Sequence, residues 1–137
     1  MGVSDPGKGV VLVVDDSEDM RSLLTVILGK NYKIVQAENG KVALDLLDKQ
    51  DVDVIVLDEN MPIMGGHECY VKLREKSNFT PVIFCTGAPS EEFLKRELAL
   101  GAFDYLAKPV DADKLLQLVD EAFTTKQRLR LIRARAK

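Results

Sequence analysis

The sequence has few of the residues that build disulfide scaffolds and membrane segments. Its 137 residues include two cysteines, one histidine and no tryptophan. Cys69 and Cys85 form no CxxC pair, which favours reduced thiols that pack as small core residues. No apolar run approaches the roughly 18 residues that a membrane span needs, and the first residues lack the basic and apolar regions of a signal peptide. We therefore expect a cytoplasmic protein without a membrane segment.

The residues that are present fit a single domain with regular secondary structure. Hydrophobic residues make up 46% of the chain and charged residues 30%, as in ordinary globular domains. Five short apolar runs predict strands, and each is followed by a segment of helical periodicity; these runs cover residues 10–14, 32–37, 52–57, 81–85 and 103–107. Strict alternation predicts an α/β fold with a five-stranded parallel sheet and helices on both faces. A chain of this size fits the flavodoxin-like strand order 2-1-3-4-5.

Acidic residues follow two strands that this order makes neighbours. Asp15 and Asp16 follow the first strand, and Asp58 follows the third. Open α/β sheets place ligands at the carboxyl ends of their strands, so we expect the three carboxylates to lie together there. Three carboxylates in a small space repel one another strongly. Because a hard divalent cation with oxygen ligands relieves that repulsion, the sequence predicts a Mg²⁺ site.

Two further polar side chains are expected at the same edge of the sheet. Thr86 ends the fourth strand and Lys108 ends the fifth. A metal, a nucleophilic carboxylate, a hydroxyl donor and a cation are the parts that phosphoryl transfer needs. Lys108 would neutralise charge on the phosphoryl oxygens, and Thr86 would donate a hydrogen bond to one of them.

These residues also follow the order and spacing of a known signalling family. The pair Asp15–Asp16 follows an apolar strand, and Asp58 begins the segment Asp-Glu-Asn-Met-Pro. Thr86 and the pair Lys108–Pro109 follow at the family's spacings, with Tyr105 three residues before the lysine. Over about residues 10–123 the chain resembles a response-regulator receiver domain of two-component signalling.

The resemblance implies a role for each of these residues. Asp58 would accept a phosphoryl group from a phosphohistidine on a partner kinase or phosphotransfer protein. Asp16, Asp58 and the backbone carbonyl of Asn60 would bind Mg²⁺ directly, with Asp15 acting through water. Thr86 and Tyr105 would report phosphorylation by moving a surface formed by the fourth helix, the fifth strand and the fifth helix. Such a protein is a switch that catalyses only its own phosphorylation and dephosphorylation.

Two other classes share part of this pattern. A phosphohydrolase of the haloacid-dehalogenase kind also forms an aspartyl phosphate. Such enzymes carry a second aspartate two residues after the nucleophile as acid and base, and this chain has Asn60 there. A phosphorylation-dead interaction module of the same fold is disfavoured by the complete set of strand-end residues. His67 lies outside that set, and we expect it at the surface and not as a phosphodonor.

The two ends of the chain differ in character from the predicted domain at residues 10–124. Residues 1–9 are expected to form a flexible tail. Residues 2–8 imitate a P-loop, but Gly9 stands where the motif needs serine or threonine. Residues 125–137 are expected to form a basic helical extension or linker, and residues 126–137 carry six basic residues and no acid.

The extension has two interpretations. It is either a solvated helix end whose cations suit the helix dipole, or a heptad-like seam that joins an output domain or a second copy of the chain. The seam would consist of Leu118, Ala122, Thr125, Leu129, Ile132 and Ala136. The predicted core-facing residues Leu115, Leu116, Val119 and Phe123 end before the extension, so we expect it to project from the domain. Direct nucleic-acid binding is not expected, since the tail has no aromatic residue and the body is acidic.

Overall fold

One parallel sheet organises the part of the chain that the computed structural model describes, residues 9–87 and 90–136. Its strands are β1 (Val10–Val14), β2 (Lys33–Ala37), β3 (Val54–Leu57), β4 (Val82–Thr86) and β5 (Asp104–Ala107). The helices are α1 (Glu18–Leu28), α2 (Gly40–Lys49), α3 (Gly66–Glu75), α4 (Glu91–Ala99) and α5 (Ala112–Ala136). The strand order is β2-β1-β3-β4-β5, with every pairing parallel. The predicted fold class and strand order are confirmed.

Alternate residues of each strand face two separate core clusters. Leu12 of β1 packs in the cluster that includes residues of α2, α3 and α4. Val11 and Val13 pack in the other, with residues of α1 and α5. Cys69 and Cys85 are unpaired and buried, one in each cluster. Burial raises the pKa of Cys69 to about 12 and that of Cys85 to about 11, so both thiols stay protonated and act as packing groups.

Side-chain caps define where the helices begin. Ser17, Asn39 and Ser90 each accept a hydrogen bond from the backbone N–H three residues later, at 3.1, 2.9 and 3.0 Å. Asp111 caps α5 in the same way at 3.1 Å. The sequence predicts Ser17, Ser90 and Asp111 in this role. Asn39, which the sequence suggests as a strand breaker, is also the cap of α2.

The predicted element bounds differ from the observed ones by one or two residues. The second and third strands begin at Lys33 and Val54, slightly later than predicted. Pro81 precedes β4 because a proline has no N–H to donate to the ladder. Residues 1–8, which hold the P-loop-like segment and most of the predicted tail, lie outside the described residues. Gly9 is joined to the sheet, since its carbonyl accepts the N–H of Lys33 at 2.9 Å.

Helix α5 is 25 residues long and runs without a break through the basic extension. Its buried stripe is Leu115, Leu118, Val119 and Ala122, which follows the period of a helix that packs on a core. The assignment of Leu118 and Ala122 to an exposed seam is therefore wrong, because the core covers them. No helix within the described ranges is both long and apolar enough to cross a membrane.

The extension begins along the body of the domain and does not simply project from it. The Lys126 ammonium donates to the carbonyl of Val52, and the Arg130 guanidinium lies 3.3 Å from the carboxylate of Asp53. Burial lowers the pKa of Lys126, with the nearby Arg130 charge adding to the effect. These contacts explain why the first turns after Phe123 stay close to the sheet.

Candidate functional site

The sheet register brings the predicted acids together at the carboxyl end of β1 and β3. Val14 pairs with Leu57, so the next residues, Asp15 and Asp58, lie side by side. The Asp58 N–H donates to the carbonyl of Val14 at 2.9 Å. Oxygen atoms of Asp15, Asp16 and Asp58 all lie within 4.8 Å of one another. The predicted juxtaposition of the three carboxylates is thus present.

The three carboxylates differ in their exposure to solvent. Asp15 and Asp58 are 2% and 6% exposed, while Asp16 is exposed. One oxygen of Asp15 accepts the N–H of Ser17 at 2.9 Å, and the other accepts from Lys108 at 2.9 Å. Both carboxylate oxygens of Asp15 are therefore held by hydrogen bonds. The carboxylate oxygens of Asp58 can still accept hydrogen bonds from a ligand or bind a metal.

Lys108 is the cation that faces the cluster. Its ammonium lies 2.9 Å from Asp15 and 3.5 Å from Asp58. The backbone N–H of Lys108 donates to the carbonyl of Thr86 at 2.9 Å, and this hydrogen bond holds the end of β5 against the end of β4. The closer of the two carboxylate contacts of Lys108 is the one with Asp15.

The electrostatics of the site follow from burial and from an excess of negative charge. Burial raises the pKa of Asp58, and the charge of Asp15 raises it further, against the lowering effect of Lys108. Burial alone would lower the pKa of Lys108. Its hydrogen bond to Asp15 and the charge of Asp58 outweigh that effect, and the pKa of Lys108 is raised. The lysine stays charged, but one cation does not compensate three carboxylates.

The buried hydroxyl of Thr86 has a partner that the sequence does not reveal. Thr86 is fully buried, and its Oγ1 donates to the carboxylate of Glu59 at 3.4 Å. Glu59 directly follows Asp58 and is half-buried. In this arrangement the threonine points toward Glu59, so a ligand on Asp58 would compete with Glu59 for the hydroxyl.

Asn60 and Tyr105 lie at the margin of the cluster. Asn60 is exposed in the loop between β3 and α3, two residues from Asp58. Tyr105 pairs with Phe84 in the sheet and is half-buried against the core cluster that includes Phe93 and Leu94 of α4. The metal-binding role of Asn60 and the switch role of Tyr105 remain predictions.

Gly66 allows the end of the loop after β3 to pack tightly against the backbone of Asp58 and Glu59. The N–H of Gly66 donates to the carbonyl of Glu59 at 2.9 Å. A Cβ on Gly66 would lie 2.3 Å from the carbonyl oxygen of Asp58, closer than real Cβ contacts come. A side chain at this position would displace the backbone that carries the central carboxylate.

His67 has a contact that the sequence does not predict. Its side chain is 37% exposed, yet its Nδ1 makes a hydrogen bond with the carboxylate of Glu97 on α4. Glu97 is only 2% exposed. The expectation of a plain surface histidine is therefore incomplete, and no spacing in the sequence relates two residues that are 30 positions apart.

The carboxylates fit a hard divalent cation. They offer only oxygen atoms, which are the ligands that Mg²⁺ prefers. Two of them are buried, and the single lysine leaves their mutual repulsion uncompensated. The residues present therefore suit an oxygen-ligated metal at the carboxyl ends of β1 and β3.

Comparison with known proteins gives one consistent family. The response regulator receiver domain model matches residues 11–120. The chain is 35% identical over 115 residues to the chemotaxis protein CheY of Halobacterium salinarum, covering 83% of this chain and 96% of that relative. It is 34% identical over 113 residues to the regulatory protein AtoC of Escherichia coli, covering 82% of this chain and 24% of that relative.

Solved structures agree with the sequence matches. The chemotaxis protein CheY4 of Vibrio cholerae superposes with a TM-score of 0.79 at 34% identity, covering 85% of this chain and 99% of that one. The chain thus spans nearly all of some relatives and about a quarter of another. The family model covers most of the chain, including every strand-end residue discussed above. From the agreement of fold, site and relatives we conclude that the chain belongs to the response regulator receiver domain family.

Proposed function

We propose that this chain is a phosphorylatable switch that accepts a phosphoryl group on Asp58 from a phosphohistidine. The donor would be a histidine kinase or a phosphotransfer protein in the cytoplasm. The observation that carries the proposal is the buried, incompletely compensated carboxylate of Asp58 between Asp15 and Lys108. Its position at the carboxyl end of the central strand β3 leaves it facing the ligand side of the sheet.

The transfer exchanges one covalent bond for another. An oxygen of the Asp58 carboxylate attacks phosphorus, the P–N bond to the donor histidine breaks, and a P–O bond forms. The histidine nitrogen leaves with the electron pair of the broken bond. Lys108 already lies within 3.5 Å of Asp58, so its ammonium can follow the negative charge onto the phosphoryl oxygens. The buried hydroxyl of Thr86 can donate to one of those oxygens after it leaves Glu59.

Mg²⁺ is the cofactor that we propose for this site. Asp16, Asp58 and the backbone carbonyl of Asn60 would hold the ion, with Asp15 contributing through water. When bound, the metal supplies positive charge next to the transferring phosphoryl group. Asp15 suits an indirect role because Ser17 and Lys108 already occupy both of its oxygens.

We propose that the chain does not turn over metabolites. Asn60 stands where an aspartyl-phosphate phosphohydrolase carries its proton-transferring aspartate, and an amide has no proton to give at neutral pH. The family match also favours the switch over the hydrolase alternative. Multiple-turnover hydrolysis of a simple sugar phosphate, lost in Asp58→Asn, would contradict this part of the proposal.

The switched surface that we propose is formed by α4, β5 and α5. Thr86 donates to Glu59 beside the cluster, and Tyr105 packs against the core cluster that includes residues of α4. An output domain or a second copy of the chain would read the surface, and the α5 extension would serve as a linker or a pairing helix. Some relatives are longer regulators and sensor kinases. Membranes and nucleic acids are not among the partners that we propose for this segment.

A labelling experiment tests the proposal directly. The native chain, incubated with acetyl phosphate and Mg²⁺, should gain the mass of one phosphoryl group that is stable to acid and labile to base. Asp58→Asn should abolish the gain. Asp104→Asn is the matched control, because Asp104 lies at the beginning of β5, away from the cluster. Undiminished labelling of Asp58→Asn at another residue would refute the assignment of the phosphoacceptor.

A further inference from the structure

A buried carboxylate outside the phosphorylation site joins α3 to α4. Glu97 lies on α4 and is 2% exposed. Its Oε1 makes a hydrogen bond with Nδ1 of His67 and accepts from Nε of Arg96 at 2.9 Å. Its Oε2 is buried and has no hydrogen-bond partner among the described residues. A carboxylate with so little solvent depends on the partners it has.

Of the two partners of Glu97, His67 is the one that lies on the other helix, α3. Arg96 is the neighbour of Glu97 on the same helix and moves with it. His67 is the second residue of α3, so its contact constrains where α4 lies relative to α3. The hydroxyl of Tyr70, one turn further along α3, donates to the carbonyl of Leu100 at 2.7 Å, and this contact also lies at the C-terminal end of α4.

The beginning of α3 is in turn joined to the phosphoacceptor loop. Gly66 precedes His67, and its backbone lies directly against the carbonyl oxygen of Asp58. Its N–H donates to the carbonyl of Glu59 at 2.9 Å. His67 thus stands one residue from backbone that contacts Asp58 and makes a hydrogen bond with the buried acid of α4. This path to α4 is separate from the path through Thr86 and Tyr105.

We infer that His67 and Glu97 form a positioning pair that holds α4 in the arrangement in which Thr86 donates to Glu59, and that the pair thereby opposes the switch. The inference rests on the proposed function, since it concerns how α4 responds to a phosphoryl group on Asp58. A hydrogen bond between one ring nitrogen and one carboxylate oxygen is directional, whereas apolar packing tolerates sliding. Displacement of α4 along α3 therefore breaks the pair and leaves Glu97 with Arg96 alone.

Removal of the pair should shift the equilibrium toward the switched state. A ligand that binds the switched state better then binds more tightly overall, because less free energy is spent on the conformational change. Beryllofluoride, which mimics a phosphoryl group on a carboxylate, is the probe. Residues that act on coupling between sites typically change it by a factor of about 2 to 30.

The experiment compares beryllofluoride affinity, measured by amide NMR titration with saturating Mg²⁺, in the native chain and three variants. His67→Leu removes the hydrogen-bond partner of Glu97, and the double variant His67→Leu/Glu97→Leu also removes the buried carboxyl group. His67→Asn keeps a donor near the position of Nδ1. We expect the first two to bind beryllofluoride about 2- to 30-fold more tightly than the native chain. We expect His67→Asn to bind within about twofold of it.

The double variant keeps the test decisive if His67→Leu alone does not fold. Replacing both partners of a hydrogen bond by apolar residues can be nearly neutral or stabilising, because no buried polar group is left unpaired, so the double variant is expected to fold. A folded double variant with native affinity would show that the pair only fills space, and so would overturn the inference. Equal behaviour of His67→Asn and His67→Leu would also overturn it. No binding by the native chain would refute the proposed function and this inference together, whereas unchanged binding in the variants refutes the inference alone.

Discussion

Replacement of Gly66 by alanine tests how closely the loop after β3 is packed against Asp58. The new Cβ would lie 2.3 Å from the carbonyl oxygen of Asp58 and 3.0 Å from the Cα of Glu59. Both neighbours are backbone atoms, so no side chain can rotate away to make room. Contacts under 3.0 Å are essentially never seen, and the Asp58 carbonyl must therefore move by about 0.7 Å or more.

The effect of this movement on the free energy of unfolding follows from two opposing contributions. Extra volume in a close-packed site typically destabilises a protein by about 1–3 kcal/mol. A glycine-to-alanine change also restricts the unfolded chain and returns about 0.4–1 kcal/mol. The net expectation is a loss of about 1–2 kcal/mol, which for a domain of this size lowers Tm by about 3–10 °C. Because a displacement of about 1 Å can cost a hundredfold in rate, phosphorylation by acetyl phosphate should slow by about tenfold or more.

Gly87 provides the matched control. Among the residues that the structure describes, none has an atom within 4 Å of a Cβ on Gly87, although Gly87 directly follows Thr86. Gly87→Ala should therefore be neutral or stabilising by up to about 1 kcal/mol. Thermal unfolding and the initial rate of labelling with acetyl phosphate are measured for both variants and the native chain. If Gly66→Ala melts and labels like the native chain, the close approach to Asp58 is not a constraint and the reasoning fails.

Three further predictions concern the acidic cluster and the extension. First, Mg²⁺ should raise the Tm of the native chain, by the equivalent of about 2.7 kcal/mol at a hundredfold excess over Kd. Asp16→Ala should lose most of this gain, and an equal gain in the variant would contradict the metal site. Second, the pKa of Asp58 is raised in the folded state, so its ionised carboxylate lowers the free energy of unfolding at a pH above that pKa. This loss of stability shrinks as the pH falls below the raised pKa, because the group is then protonated in the folded state. Without Mg²⁺, Asp58→Asn should therefore melt higher than the native chain at pH 7, and the difference should narrow on acidification; a difference independent of pH would count against this electrostatic account. Third, we expect the full chain to dimerise with rising concentration in sedimentation, because Leu129 and Ile132 of the extension are 45% and 60% exposed, and we expect a chain truncated after Thr125 to stay monomeric. Equal monomer masses for both forms would reduce the extension to a helix end.

The cluster of charged residues at the strand ends could be predicted from the sequence because strand ends are easy to locate. Apolar runs end at Asp15, Asp58 and Lys108, and parallel pairing then brings these residues to one edge of the sheet. Local patterns are sufficient here, since the register of neighbouring strands follows from which residues are buried. The order of the strands adds the one long-range fact that this reasoning requires.

Contacts between side chains on different elements are what the sequence does not reveal. Glu59 faces Thr86, and His67 faces Glu97, only because the loop after β3 and the helix α4 have particular positions. Neither pair has a periodicity or spacing that would indicate it. The prediction that Leu118 belongs to a heptad-like seam is wrong for a related reason. A heptad pattern and the stripe of a core-facing helix share many positions, and only packing distinguishes them.

The contacts at the beginning of the α5 extension fix its rotation as well as its position. Arg130 lies against Asp53 at one end of the chain segment that carries Asp58 at its other end. Each residue of an α-helix turns the chain by about 100°. Any segment continuous with this helix would therefore face a direction set by the number of residues after Arg130. Inserting one or two residues there would redirect that segment by about 100° or 200° without altering the carboxylate cluster at the strand ends, whereas about seven residues would nearly restore its direction.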